Sequence, residues 1–473
     1  MQLSVDPDRL LPSDPAQRAV ARELYTAVAD LPIISPHGHV PAQWFAENAR
    51  FPDPTALLLT PDHYINRVLH SHGVPLERLG VGQSDFSEAD ARAAFATFCR
   101  HWKEFRGTPM KYWFEDQLAG VFGIDLVPSA ETADELYDRI DALLATEEFR
   151  ARALHDRFGI EFIATTDDPC DDLRYHRQIA EESWDATVVP TFRPDKYLEV
   201  ARPEWVADVD RLAEVSGVDT GDYAGWVGAM EARRSYFTEH GAVSADHAHL
   251  DIGMLALDPA ESEQLYAQAR AGSISAADAV RLRRGMLFEQ ARMAAEDGLV
   301  MTLHPGGLRN HHTATFERFG PDVGADFPVR TEFVQPLQPG LDAFGTNPNF
   351  QLVLFTMDET TFSREIGPLA SFYPSVFAGA PWWFLDTPDG VTRYREAVTE
   401  SCGFGKTSGM IDDTRALLSI PARHDMARRL DSGYLARLVT EHRLTMDEAL
   451  ETAHDLVVRQ PRRTFKLNGK DDQ

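Results

Sequence analysis

Cysteine is scarce in this chain: Cys99, Cys170 and Cys402 are the three among 473 residues. An odd number at such wide spacing argues against a disulfide framework and for a reducing compartment. Long hydrophobic runs are missing too, and no stretch approaches the roughly 20 apolar residues that span a bilayer. Residues 1–7 hold no basic stretch leading into an apolar one, so no secretory signal is expected and the expected location is the cytoplasm. Basic side chains are outnumbered, 46 Lys and Arg against 74 Asp and Glu, for a formal net charge of −28. Such a surface repels phosphate backbones and anionic lipid, so no nucleic acid and no membrane are expected as partners. A small anionic substrate stays open, because a pocket can carry its own arginines. Internal repeats and low-complexity tracts are absent as well.

What is present is a series of eight short apolar runs, at 31–35, 161–166, 187–192, 242–245, 299–303, 351–355, 375–378 and 408–411. Nearly every run ends in residues that can do chemistry. From residue 160 onward the runs alternate with helical patterns at 228–238, 261–271, 276–297 and 392–402, the signature of a parallel sheet. A (β/α)8 barrel collects its catalytic groups at the C-terminal ends of its strands. One pattern therefore predicts an α/β fold of the TIM-barrel type and the place of a site. The run at 408–411 is short and Gly-rich, and counts as the eighth strand through its place in the alternation. Barrels commonly hold about 250 residues, so the surplus is assigned to additions. Residues 1–40 read as an N-terminal helix and the first strand, 41–155 as a mainly helical insertion, and 156–473 as the rest of the barrel with terminal helices over 422–467. Helices are expected at 17–29, capped by Ser13 or Asp14, and at 89–102 and 132–143 inside the insertion. The tail, 470–473, is expected to fray.

Residues i and i+2 of a strand face the same way, so His37 and His39 can hold one divalent ion, imidazole favouring zinc and its neighbours. The competing reading is a structural pair. Asp412-Asp413 ends the strand that closes onto the first, where one carboxylate can join the imidazoles as a ligand or carry a proton. It can equally cap the following helix. His304-Pro305-Gly306-Gly307 and Arg309-Asn310 offer close backbone approach, a guanidinium for a carboxylate, and an imidazole that is a ligand, an acid/base or a plain loop histidine. Arg193 reads as an anion clamp or as a surface partner of Asp195. Asp246-His247 reads as an orienting pair for an imidazole or as polar core. Trp382-Trp383 reads as a sugar-stacking wall or as core. Asp62-His63-Tyr64 lies in the insertion and can bring a tyrosine acid/base on a lid; on composition alone it reads as an exposed helix.

With these pieces in order, the chain resembles the uronate isomerase family, also called glucuronate isomerase, of the amidohydrolase superfamily. The resemblance rests on His37-Gly38-His39, Asp62-His63-Tyr64, Thr165-Thr166-Asp167-Asp168-Pro169, Arg193-Pro194-Asp195-Lys196 and Asp246-His247-Ala248. It continues through Leu308-Arg309-Asn310, Gly320-Pro321-Asp322-Val323-Gly324, Trp382-Trp383-Phe384, Asp413-Thr414-Arg415 and Arg423-His424. It implies an amidohydrolase-type barrel with a helical insertion after strand 1. It also implies interconversion of a hexuronic aldose with its 2-keto isomer, glucuronate with fructuronate or galacturonate with tagaturonate. By the same resemblance His37, His39 and Asp413 hold one divalent metal ion, with zinc expected. Asp413, Tyr64, Arg415 and His63 are catalytic, and Arg193, Arg309, His304 and Trp382 bind substrate. The expected partner is a small-molecule sugar acid and the expected assembly a homo-oligomer. The chain departs from the family's usual first-strand motif, reading Ser35-Pro36 before His37-Gly38-His39. A second reading is a mononuclear metal-dependent hydrolase of a sugar-acid lactone, ester or amide. The bridging carboxylated lysine of binuclear superfamily members has no counterpart at Asp246-His247. A third is a sugar-acid binding protein without turnover.

Overall fold

The computed structural model describes residues 2–467; the tail at 470–473 lies outside them. Its strands are β1 (Ile33–Ser35), β2 (Ile160–Ala164), β3 (Thr187–Val189), β4 (Ser244–His247), β5 (Val300–Leu303), β6 (Gly307–Leu308), β7 (Phe327–Pro328), β8 (Leu352–Leu354) and β9 (Val376–Ala378). One parallel sheet has the order β1-β2-β3 and a second, also parallel, the order β4-β5-β8-β9. The α/β alternation of the sequence is therefore present, with chain order kept across each sheet.

Single pairings continue the pattern at the sheet edges. Phe192 pairs with Ala245; its N–H donates to the Ser244 carbonyl at 3.2 Å, and Asp246 N–H donates to the Phe192 carbonyl at 2.9 Å. At the opposite edges Ser408 N–H donates to Ala378 and His39 N–H to Thr414, both at 2.9 Å.

Three expectations are corrected. The run at 408–411 forms no strand; only its neighbour Thr407 pairs, with Ala378. Gly409 takes φ +73°, and a Cβ there would stand 2.8 Å from the Leu456 carbonyl oxygen. Close packing of the terminal segment thus takes the backbone out of the extended region. β3 stops at Val189 because Pro190 has no N–H to give a ladder. The glycines after His304 do not make a plain loop, since β6 and β7 pair antiparallel; strands two residues long carry no periodic signal.

The helices lie close to where they were expected. The first is Pro15–Val28, capped by Asp14, whose carboxylate accepts from Ala16 and Gln17 N–H at 2.9 Å. Others are Glu88–Arg100, Ala133–Leu144 and Ala276–Asp297. Between β1 and β2 every named element is helical, from Ala42–Glu47 to Ala151–Arg157. Among the described residues no helix is long and apolar enough to cross a membrane.

Strand side chains alternate as the pleat demands. Ile34, Phe162, Val189, Val300, Val353 and Phe377 share one buried cluster. Their neighbours Ile33, Ile163 and Val188 pack with the helices of the insertion, while Met301, Leu352, Leu354 and Val376 pack with the later helices. The inner cluster includes Phe355, whose ring stacks 4.1 Å from His304.

Beyond β2, Thr165 joins two titratable groups, the buried His176 and the largely covered Asp167. Its hydroxyl lies 2.5 Å from Asp167 Oδ2 and 2.8 Å from His176 Nε2. Burial pushes the Asp167 carboxyl up to about 7 and the His176 imidazole down to about 4. A raised carboxyl stabilises the fold below its unfolded value and loses that contribution as pH climbs through about 7. Asp167→Asn, which is always neutral, is expected to raise the melting temperature more at pH 8 than at pH 5. Equal shifts at both would show that Asp167 is ionised throughout.

Candidate active site

A cavity of about 390 Å³ opens beside the C-terminal ends of β1, β3, β4 and β5. The structure brings all ten candidate side chains to its wall: His37, His39, His63, Tyr64, Arg193, His304, Arg309, Trp382, Asp413 and Arg415. Asp62, Asp195, Asp246, Asp322, Trp383 and Arg423 line it too.

At the floor, His39 Nε2 lies 2.9 Å and His37 Nε2 3.5 Å from Asp413 Oδ1. His304 Nε2 is 4.0 Å from Asp413 Oδ2. Ligand atoms of His37, His304 and Asp413 fall within 4.8 Å of one another, close enough for one ion. By residue type His304 was open as a ligand, an acid/base or a loop histidine, and by resemblance a substrate contact; here its Nε2 stands beside the metal candidates. His304 Nδ1 is 2.6 Å from Asp246 Oδ1, which also accepts from Thr302 Oγ1 at 2.7 Å. That bond fixes the proton on Nδ1 and leaves the Nε2 lone pair free; Nε2 is buried without a hydrogen-bond partner among the described residues. An imidazole that donates from Nδ1 and turns Nε2 toward a carboxylate and a second imidazole is a donor set that fits a divalent ion.

Asp412 and Asp413 point opposite ways, and Asp413 has φ +41°. Asp412 turns from the cavity, with its Oδ2 3.1 Å from His424 Nε2. Asn310, Asp322 and Trp383 also have positive φ and also border the cavity. Each such residue costs on the order of 1–2 kcal/mol, and strain of this kind gathers where side-chain placement outweighs backbone comfort. Burial alone would raise the Asp413 carboxyl. The imidazoles of His37, His39 and His304 outweigh it and hold the group below the usual carboxylate range. Burial holds His37 down at about 4, against the pull of Asp246 and Asp413.

Tyr64 and His63 arrive on helix His63–Ser71, whose first N–H groups are capped by Asp62 at 2.8 Å (Tyr64) and 3.2 Å (Ile65). This helix is not simply exposed, as composition suggested; its first turn faces the cavity. Burial raises the Tyr64 phenol above its ordinary value, so it is a protonated donor at neutral pH. Burial and the nearby Arg415 charge hold His63 down at about 3, and its ring stacks on Trp383 at 5.4 Å.

The cations differ in how free they are. Arg193 Nε is 2.8 Å from Asp195 and its Nη1 3.4 Å from Asp246, so two carboxylates already neutralise it. Arg309 Nη1 is 3.1 Å from buried Asp326 and 3.7 Å from Asp322. Arg415 Nη2 is 3.5 Å from Asp322. Arg423 is buried between Asp386, at 2.5 Å, and the Trp113 ring, at 3.8 Å, with the Tyr64 ring 5.5 Å away. Sequence reasoning gave no role to Asp322 or Arg423, although the Gly320–Gly324 stretch and Arg423-His424 had both been singled out as motifs. Asp246 was foreseen as a partner for an imidazole, and that imidazole is His304.

Comparison with known proteins decides the family. The sequence model described as glucuronate isomerase matches residues 14–465. This chain belongs to that glucuronate isomerase family. The uronate isomerase of Cutibacterium acnes is 54% identical over 466 residues, covering 98% of this chain and 99% of its own. That of Rhizorhabdus wittichii is 48% identical over 465 residues, covering 98% and 99%. The crystal structure of the Caulobacter crescentus glucuronate isomerase matches with a TM-score of 0.97 at 46% identity, over 100% of this chain and 99% of that one. Uronate isomerases belong to the amidohydrolase superfamily, as the sequence motifs indicated, and the hydrolase alternative is not favoured.

Proposed function

We propose that this chain interconverts a hexuronic aldose and its 2-keto isomer, D-glucuronate with D-fructuronate or D-galacturonate with D-tagaturonate. The observation that carries the reading is one cavity holding an ionised carboxylate, Asp413, a protonated phenol, Tyr64, and two arginines, Arg309 and Arg415. Isomerisation needs those parts: a base that reaches C1 and C2, an acid at the carbonyl oxygen, and an anchor for the distant carboxylate.

In this reading Arg309 and Arg415 hold the substrate carboxylate, and Trp382 forms an apolar wall beside His304, 4.8 Å between rings. Asp413 takes the proton from C2 and, after exchange with solvent, delivers one to C1. Tyr64 gives its proton to the C1 oxygen and recovers one from the C2 hydroxyl, so the enediol forms and collapses with no net gain of atoms. His63 supports Tyr64 as a neutral ring. Arg193 steadies negative charge on the oxygens from below. His37, His39 and Asp413, with His304 beside them, would hold a divalent ion, zinc in this proposal, which when bound polarises the substrate oxygens. We also read the seven parallel strands and the segment 407–411 as one eight-membered ring. The single pairings at Phe192, Thr407 and His39–Thr414 support it.

Proton NMR of the purified protein with each uronate in D₂O tests the reaction. New ketose signals with deuterium at C1 are the expected result. Two unchanged sugars would sink the proposal, and mass gain on a sugar lactone would favour the hydrolase.

A further inference from the structure

Asp322 stands in the cavity mouth with no part in the proton transfers above. It is placed with care. Its φ is +62°, and two residues on Gly324 packs against the helix that carries His63 and Tyr64, where a Cβ would stand 3.1 Å from the His63 carbonyl oxygen. The segment is therefore docked on the catalytic wall, and Asp322 is held between two cations.

Its hold on them is loose. Asp322 lies 3.7 Å from Arg309 and 3.5 Å from Arg415, and its side chain is 44% exposed. Both contacts are longer than a normal N–H···O bond, which ends near about 3.2 Å. Arg309 has a firmer partner in Asp326, at 3.1 Å and only 3% exposed, which also accepts the Asn310 N–H at 2.6 Å. For Arg415, Asp322 is the carboxylate within ion-pair distance among the described residues. Half-exposed pairs at such distances are worth little and exchange readily.

We propose that Asp322 is the resident counter-ion of the Arg309–Arg415 pair, displaced when a sugar-acid carboxylate binds, and that it thereby sets the affinity of the site for substrate. The inference rests on reading those arginines as the carboxylate anchor. Without Asp322, Arg309 would keep Asp326 but Arg415 would be uncompensated, and the pair would attract any anion. With Asp322 between them the pair yields only to a carboxylate that the rest of the cavity also holds, so the residue trades affinity for selectivity.

Asp322→Asn tests this, because Asn keeps the shape and tolerates a positive φ. The expected result is a KM for D-glucuronate lowered about three- to tenfold with kcat within about twofold. Calorimetric binding of D-gluconate, a sugar acid without a reducing carbon, should tighten by a similar factor, and more so at low salt. Inhibition by neutral D-glucitol should not change. A merely structural role would weaken binding, so the sign discriminates. An unchanged or raised KM, or a gain shared by D-glucitol, overturns the proposal. Arg309→Gln separates it from the underlying reading. If that variant leaves KM for D-glucuronate unchanged, the carboxylate-anchor reading falls. If it raises KM while Asp322→Asn does nothing, only the role of Asp322 falls.

Discussion

Asp413→Asn is expected to lower kcat by about 10²- to 10⁴-fold, the range for loss of a positioned acid/base. The carboxamide has nearly the same shape and volume, so the cavity wall is preserved. What it loses is the carboxylate lone pair that would accept a proton from carbon, and the negative charge that faces three imidazoles. The choice of Asn also controls for backbone strain. At φ +41° an L-residue is uncomfortable, and Asn is among the side chains that bear it best, whereas Ala would add a folding cost to the chemical one. KM for the uronate should move far less than kcat, since the proposed anchor is Arg309 and Arg415. That split marks an interaction made in the transition state rather than uniform binding. Metal content of the variant, measured by atomic emission, separates two causes. A variant that keeps its ion but not its turnover assigns the loss to proton transfer; one that loses both assigns it to ligation. Near-normal turnover would remove Asp413 from the mechanism.

Much of this was legible in the chain because the fold has a strong period. Seven of the eight runs carry parallel strands, and the helices between them sit within a few residues of their expected bounds. The residues that follow the strand ends were legible for the same reason: strand order alone puts His37, Arg193, Asp246 and His304 on one side. What escaped depends on contacts that no spacing encodes. Gly409 lies against the Leu456 carbonyl, 47 positions on, and that packing cancels a strand. Helix His63–Ser71 has an ordinary amphipathic composition; long-range contacts to Gly324, Trp383 and Trp113 hold its first turn inward. Asp322 sits in a motif that by itself assigns it no role, and its meaning comes from two arginines 13 residues before it and 93 after it in sequence. His304 was recognised with its role left open, since the direction of its free nitrogen depends on the bond to Asp246 on another strand. Periodicity reveals the scaffold, and long-range polar pairing sets the roles.

That pairing also carries the largest expected effect on stability. Asp246 is fully buried and has four charged or polar neighbours: His304 at 2.6 Å, Thr302 at 2.7 Å, Arg193 at 3.4 Å and His37 at 3.9 Å. Burial would raise its carboxyl, but His304, His37 and Arg193 together hold it well below the usual range, so it is ionised in the fold. Asp246→Ala removes almost no apolar surface, so the hydrophobic term is small. The electrostatic term is large: Arg193 keeps only Asp195, and His304 loses the acceptor for its Nδ1 proton. Removing one partner of a buried ion pair costs about 3–5 kcal/mol, against a total stability of about 5–15 kcal/mol. The expected result is a melting temperature at least about 5 °C lower. Asp246→Asn should fall between this variant and the parent, because its carbonyl still accepts from Thr302 while its amide opposes the other donors. Both variants should bind a divalent ion, zinc in the proposal above, about 10- to 100-fold more weakly, since the imidazole that Asp246 orients is then free to turn. Weakened zinc binding with an unchanged melting temperature would limit Asp246 to aiming His304. Loss of stability with zinc affinity intact would make it a counter-ion for Arg193 alone.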